Sequence, residues 1–274
     1  MMTLKLVDAH CHIHEAAEHF AGESETRIRW QRTGNLTPDA MIRSAADVGV
    51  TRLICVGTTL RDSELAVNFV QKRENCWASI GIHPHEAKDH LDKAKQNALV
   101  TLATKPKVVA VGECGLDYIY EHSPKEAQAK ILRLQIELAL EADLPMIFHV
   151  RDAFDDFWPI FDEYKNIRGV IHSFSASQKE LDEILKRDLY VGLNGIMTFS
   201  KNSAQLAAAK AVPLDKLVVE TDAPFLTPAP ERGKICEPKH VQLTAQFLSD
   251  LRGETLETFA AATTRNACQL FGLT

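Results

Sequence analysis

Short apolar runs alternate along the chain with longer stretches in which apolar residues recur every three or four positions. The runs cover residues 4–12, 52–57, 77–82, 108–113, 145–150, 169–172, 190–193 and 217–222. Each is rich in Val, Ile and Leu, as a strand covered on both faces should be. The intervening stretches predict helices. Thr37-Pro38 opens one over 39–47, with Thr as the cap and Pro in the first turn. Ser123-Pro124-Lys125-Glu126 reads as a capping box before a helix to about residue 142, with Ile131, Leu134 and Leu138 on one stripe. Ser177-Gln178-Lys179-Glu180 is a second box, before Leu181, Ile184 and Leu185. Further helices are expected over 63–72, 87–104, 155–164, 203–210, 240–252 and 256–270.

Eight strand-then-helix units predict an α/β chain closed into a (β/α)8 TIM barrel, a fold of typically about 250 residues. An open doubly wound sheet is the alternative. It would carry a Gly-rich phosphate turn after the first strand, and here that strand ends in Asp8-Ala9-His10-Cys11-His12. No Pro/Gly/Ser linker divides the chain, so residues 1–274 are read as one barrel domain. Residues 15–36 read as a long polar loop after strand one. Such loops are often functional; packing on the barrel rim is the other reading. Trp30 within it could stack a base or simply pack the loop.

Composition narrows the function. The 274 residues are 45% apolar and 25% charged, with 31 Lys and Arg against 37 Asp and Glu and a net charge of −6. That excludes a strongly basic nucleic-acid scaffold, though not a local basic patch. No apolar run is long enough to span a bilayer, and the first residues do not read as a signal peptide, so a cytoplasmic protein away from membranes is expected. The six cysteines form no C-x-x-C pair and read as reduced core residues. No obligate protein partner is evident.

The 11 histidines carry the chemistry. Strand one ends in His10 and His12, strand three runs into His83, and strand four ends in Glu113. Strands five, six and eight end in His149, His172 and Asp222, and strand seven runs into Asn194. In a parallel barrel these C-terminal ends share one face, where barrel active sites sit. His10 and His12 point the same way, with Asp8 one layer deeper as a possible partner for an imidazole N–H. Neutral imidazole suits Zn, Mn or Fe, and a carboxylate can bridge two cations. Four histidines and two carboxylates exceed one open tetrahedral site. They fit two ions about 3.5–4 Å apart that share Glu113, bring water toward a pKa of about 7 and clamp the oxygens of a phosphodiester or other charged ester. His14, His19, His90, His122 and His240 lack a strand-end partner and read as surface or loop residues.

Six segments, in order, match a family. Asp8-Ala9-His10-Cys11-His12, Gly81-Ile82-His83-Pro84-His85, Gly112-Glu113-Cys114-Gly115-Leu116-Asp117-Tyr118, His149-Val150-Arg151, His172-Ser173-Phe174-Ser175 and Glu220-Thr221-Asp222-Ala223-Pro224 closely resemble the TatD-type metal-dependent deoxyribonucleases of the amidohydrolase superfamily. The resemblance implies a barrel with two divalent ions (Zn, Mn or Mg) that removes nucleotides 3′–5′ from DNA ends. It makes His10 and His12 ligands of one ion, Glu113 the bridge, and His149 and His172 ligands of the other. It makes Asp222 a ligand that also takes the proton from the attacking water, and puts His83 near the scissile phosphate, as a phosphate contact or general acid. Three segments depart from the family: His172-Ser173-Phe174-Ser175-Ala176 replaces the usual His-Cys-Phe-Ser-Gly, Cys236-Glu237-Pro238 replaces Asn-Glu-Pro, and the loop over 15–36 is longer than the family's, which bears on substrate access.

Other residues are open at this level. Arg151 could bind phosphate or pair with Asp152, Asp155 or Asp156. Arg232, Lys234 and Lys239 could form a phosphate site after strand eight or a solvated rim. Asp117 and Tyr118 could position substrate or shape the turn, and Glu220 could support the ligands from behind. The same residues would also serve a hydrolase of a small ester, lactone, amide or aminoacyl ester, which the acidic charge mildly favours. A catalytically silent binding protein with structural metals would instead fill every coordination position.

Overall fold

The computed structural model describes residues 4–17, 24–34, 36–120 and 122–273. Among these, strands and helices alternate in chain order: β1 Leu6–Cys11, α1 Glu25–Gln31, α2 Pro38–Asp47, β2 Val50–Val56, α3 Leu60–Val70, β3 Cys76–Ile80, α4 Lys93–Ala103, β4 Val108–Asp117, α5 Lys125–Glu141, β5 Met146–Arg151, α6 Phe154–Phe161, β6 Gly169–Ile171, α7 Gln178–Lys186, β7 Tyr190–Leu193, α8 Ser203–Ala211, β8 Leu217–Val219, α9 Val241–Arg252 and α10 Leu256–Phe271. The strands follow one another as β1 to β8 in an eight-stranded sheet. This is the (β/α)8 class that the alternation predicts. No helix among the described residues is long and apolar enough to cross a membrane.

The chain forms two compact units, one of Met1–Cys55 with Ser173–Thr274 and one of Val56–His172. In the first, β1 pairs parallel with β2, and a bridge from Cys11 to Ala223 joins its end to the segment after β8. β7 and β8 are also parallel. α10 packs on β1 and β8, where Asn266 donates to the carbonyls of Leu214 and Leu217, both at 2.8 Å. In the second unit β3 to β6 pair parallel in order. All ten residues of β4 are buried. Phe148 and Phe157 are wholly buried and meet edge to face at 5.2 Å. Burying each is worth about 1.5–3 kcal/mol.

Two amides on α5 place the strand ends of the second unit. The Gln135 Oε1 accepts the Ile82 N–H at 2.7 Å and its Nε2 donates to the Ile82 carbonyl at 3.1 Å. Seven residues earlier, on the same helix face, Gln128 does likewise for Asp117, at 2.9 and 3.1 Å. One helix therefore clamps the backbone just before His83 and at the last residue of β4.

Several sequence expectations are corrected. The helix expected over 87–104 is a 3₁₀ turn, Pro84–His90, followed by α4. Asp92 breaks it, because its carboxylate caps the Ala94 and Lys95 N–H groups. Ser123 does not cap α5; its hydroxyl donates to the His85 carbonyl and accepts the Lys88 N–H, stapling the turn after β3. The segment 15–36 is not all loop, since Ser24 caps α1 within it; residues 18–23 (with His19) and Asn35 lie outside the described residues. His14, His90 and His240 are buried rather than at the surface. The six cysteines are free and five are buried.

His240 yields a pH prediction. Its Nδ1 accepts the Glu237 N–H at 3.0 Å, which requires that nitrogen to be unprotonated. Burial holds its imidazole below the usual histidine value of 6.5, against the nearby Glu237 charge. The stabilising contribution is present above about pH 6.5 and is lost as pH falls through the folded value. Urea unfolding between pH 8 and 5 should show wild-type stability dropping on the acid side, with a shallower drop for His240→Gln.

Candidate functional site

In the first unit, β1 and the segment after β8 exchange backbone bonds that set three side chains together. The Asp222 N–H donates to the His10 carbonyl and the His12 N–H to the Ala223 carbonyl, both at 2.8 Å. Behind them Asp8 accepts from the Thr221 N–H at 2.8 Å, the Thr221 hydroxyl at 2.6 Å and the His10 N–H at 3.3 Å. Asp8 thus fixes backbone rather than holding an imidazole N–H, which corrects the expectation from strand alternation. Burial pushes its carboxyl up to about 8, against those hydrogen bonds. The His12 Nε2 lies 3.3 Å and the His10 Nε2 3.7 Å from Asp222 Oδ1. Asp222 adopts a left-handed backbone, φ 65°, a conformation Asp tolerates better than most residues. Its side chain is 18% exposed while the two imidazoles are buried, so the carboxylate is the group open to a solvent molecule.

In the second unit three imidazoles surround one carboxylate oxygen. Glu113 Oε1 is 2.7 Å from His149 Nδ1, 3.6 Å from His83 Nε2 and 3.8 Å from His172 Nε2. The other His149 nitrogen, Nε2, meets Asp117 Oδ2 at 2.9 Å, and the same oxygen meets His85 Nε2 at 3.1 Å. Burial disfavours a charged His149, but Asp117 and Glu113 together push it up to about 9. Asp117, despite its burial, is held well below the usual carboxylate range by His149 and His85. His83 is driven well below the usual histidine range by burial and by His149. Its Nδ1 accepts the His85 N–H, so the neutral ring presents Nε2–H toward Glu113.

Both groups suit a divalent ion. Bonds of about 2.0–2.2 Å from imidazole and carboxylate place ligand atoms at separations like these. The candidate donors His10, His12 and Asp222 lie within 4.8 Å of one another, as do His83, Glu113 and His149. Imidazoles gathered beside carboxylates are the donor set expected of such a centre. The structure brings His83 as near to Glu113 as it brings His172, which the motifs did not suggest. Asp117 is one of the residues the sequence leaves open; it ends a fully buried strand, and only the folded structure brings His85 and His149 to its carboxylate.

The expected phosphate-binding residues divide. Arg151 sits over the Tyr120 ring, 5.1 Å from its centroid. Arg232 lies 3.6 Å over the Phe199 ring and donates to the Thr227 carbonyl, while Lys234 pairs with Glu231 and Lys239 with Glu237. Asn194 donates to the Ser173 hydroxyl, and Glu220 accepts the Ser173 N–H at 2.6 Å. Cys236, in place of the usual Asn, is buried, and burial pushes its thiol up.

Trp30 is 3% exposed, and its indole N–H donates to the His12 carbonyl at 3.0 Å. It packs the segment after β1 rather than stacking a base. Trp30→Phe should cost roughly 1–3 kcal/mol in chemical unfolding and weaken divalent-ion binding, because the His12 backbone loses an anchor.

Known proteins resemble this chain in sequence and fold. The family of TatD related DNases matches residues 7–272. The Bacillus subtilis protein YabD, described as an uncharacterized metal-dependent hydrolase, is 36% identical over 237 residues, 85% of this chain and 92% of that one. The 3′-5′ ssDNA/RNA exonuclease TatD of Escherichia coli K12 is 32% identical over 243 residues, 86% and 93% of the two chains. The crystal structure of YJJV, a TatD homolog of Escherichia coli K12, superposes over the whole of both chains with a TM-score of 0.86 and 25% identity.

Proposed function

We propose, from the premise that this chain belongs to the TatD-related DNase family, that it is a metal-dependent hydrolase removing nucleotides from the 3′ ends of single-stranded nucleic acid. The observation carrying this reading is the pair of ion-sized groups at the strand ends, one on each unit. His10, His12 and Asp222 would hold one divalent ion. The other would lie at Glu113 and His149, where the family likeness supplies His172 rather than His83 as the third ligand, its Nε2 being 3.8 Å from Glu113 Oε1, and casts Glu113 as shared. The single family match across residues 7–272 supports the two units acting as one catalytic domain.

When bound, the ions supply a nucleophile at neutral pH and neutralise charge on the phosphoryl group. The chain's own residues do the rest. Asp222, the open carboxylate, accepts the proton of the attacking water on a carboxylate oxygen. His83, neutral with its proton on Nε2, donates a hydrogen bond to a phosphoryl oxygen. Asp117 locks the ring of His149 through Nε2, leaving Nδ1 to face Glu113.

A net charge of −6 suits a protein that holds one chain end through few phosphate contacts rather than one that coats a duplex. The same charge is what favours the second reading, hydrolysis of a small ester or amide. Elemental analysis of the purified protein, joined to turnover on single-stranded DNA, duplex DNA, RNA and small esters with Mg²⁺, Mn²⁺ and Zn²⁺, tests both. Metal-dependent release of 3′-terminal nucleotides is expected; turnover of small esters alone would replace the nuclease reading with the second.

A further inference from the structure

Beyond the end of β4 the second unit presents an aromatic surface that the ion-binding groups do not use. Ile119 and Tyr120 are 45% and 47% exposed, the highest values among the exposed large apolar side chains of the described residues. The Tyr120 ring stacks with His122 at 5.8 Å and 22°, and His85 meets it edge-on at 5.7 Å. His85 also meets His122 at 4.7 Å, and the Arg151 guanidinium hangs 5.1 Å from the Tyr120 centroid.

A single carboxylate ties this surface to the ion ligands. Asp117 Oδ1 accepts the N–H groups of Ile119 and Tyr120, at 2.9 and 3.3 Å. Its Oδ2 holds His85 and His149. The residue that orients a candidate ligand therefore also sets the turn that carries the exposed ring. The Asp117 backbone is held in turn by Gln128, so the ring stands on a fixed support.

We infer that Tyr120, backed by His122 and Arg151, is a stacking platform for the base of the nucleotide being removed. This rests on the nuclease reading and adds where the base goes. A half-exposed aromatic ring beside a guanidinium suits a nucleobase, because every base has a π-face and Arg can pair with an adjoining phosphate. A base can lie on Tyr120 only when it is unpaired, so the platform selects single-stranded ends. Such stacking is tolerant of sequence.

The test compares two single-stranded oligonucleotides that differ only in whether the 3′-terminal nucleotide carries a base. Wild-type kcat/KM should favour the base-bearing end by about tenfold, within the range seen for base–aromatic stacking. Tyr120→Ala should bring that ratio near one, and Tyr120→Phe should keep it, since stacking needs the ring and not the hydroxyl. A 2-aminopurine at the 3′ end should be quenched on binding to wild type and less so on Tyr120→Ala. Cleavage of both oligonucleotides at equal rates by wild type, or an unchanged ratio in Tyr120→Ala, overturns the platform while leaving the nuclease reading in place. Failure of wild type to cleave either oligonucleotide overturns both.

Discussion

Asp222→Asn is expected to fold as wild type does and to lose about 10²–10⁴-fold in kcat, the usual worth of a positioned proton acceptor. The amide keeps the shape of the side chain and its backbone bond to His10, so the first unit retains its geometry. What disappears is the negative charge facing His10 and His12 and the capacity to take up a proton. Asp222 is also a proposed ligand, so Asp222→Asn should lower the metal content of the first group as well as remove the proton acceptor, whereas Glu113→Gln should act through metal alone. Its Oε1 is the oxygen around which three imidazoles gather, so the loss should appear first as missing metal. Disturbing even a supporting partner of a metal ligand typically costs about 10–100-fold in affinity or activity, and removing a carboxylate ligand should cost at least that. Elemental analysis beside single-turnover kinetics separates the two variants. Near wild-type turnover in either, with metal content unchanged, would reject the roles assigned to that residue.

The largest loss of stability is expected from Gly115→Ala. Gly115 pairs with His149 across β4 and β5 and has φ 152°. A Cβ there would lie 1.8 Å from the His149 carbonyl oxygen, a backbone atom that cannot step aside. The two strands would have to part between Glu113 and Asp117, the carboxylates flanking the His149 ring. The cost should exceed about 4 kcal/mol, the tail of measured point mutations. Gly233 provides the contrast: its φ is 90°, but no atom lies within 4 Å of the place a methyl group would take. Gly233→Ala should therefore cost only about 1–3 kcal/mol of backbone strain. Denaturant unfolding of the two variants measures the difference.

The strands were legible because burial on both faces leaves nearly uninterrupted Val, Ile and Leu, which polar loops then bound. The ligand-type residues were legible because they end those runs, where barrel topology leaves little other reason for repeated histidines. What escaped notice depended on contacts between segments distant in sequence. β4 continues four residues past Glu113, although Gly115 interrupts the apolar run, because the strand is wholly buried and Gln128 satisfies its last peptide. Ser123 looks like a helix cap, yet its hydroxyl is engaged by the turn after β3. Asp117 has a neighbourhood resembling an ordinary turn, and only the fold brings His85 and His149 to it.

The paired glutamines of α5 carry a lesson for interpreting variants. Each needs an acceptor and a donor on one planar group, so Glu, although almost the same shape, would forfeit the donor and set a negative charge against a carbonyl. Either substitution would let a strand end drift while every chemically active side chain stayed intact. Catalytic screening alone would therefore enrol Gln128 and Gln135 among the reacting groups, when they are surveyors' pegs driven in from the rear of the sheet.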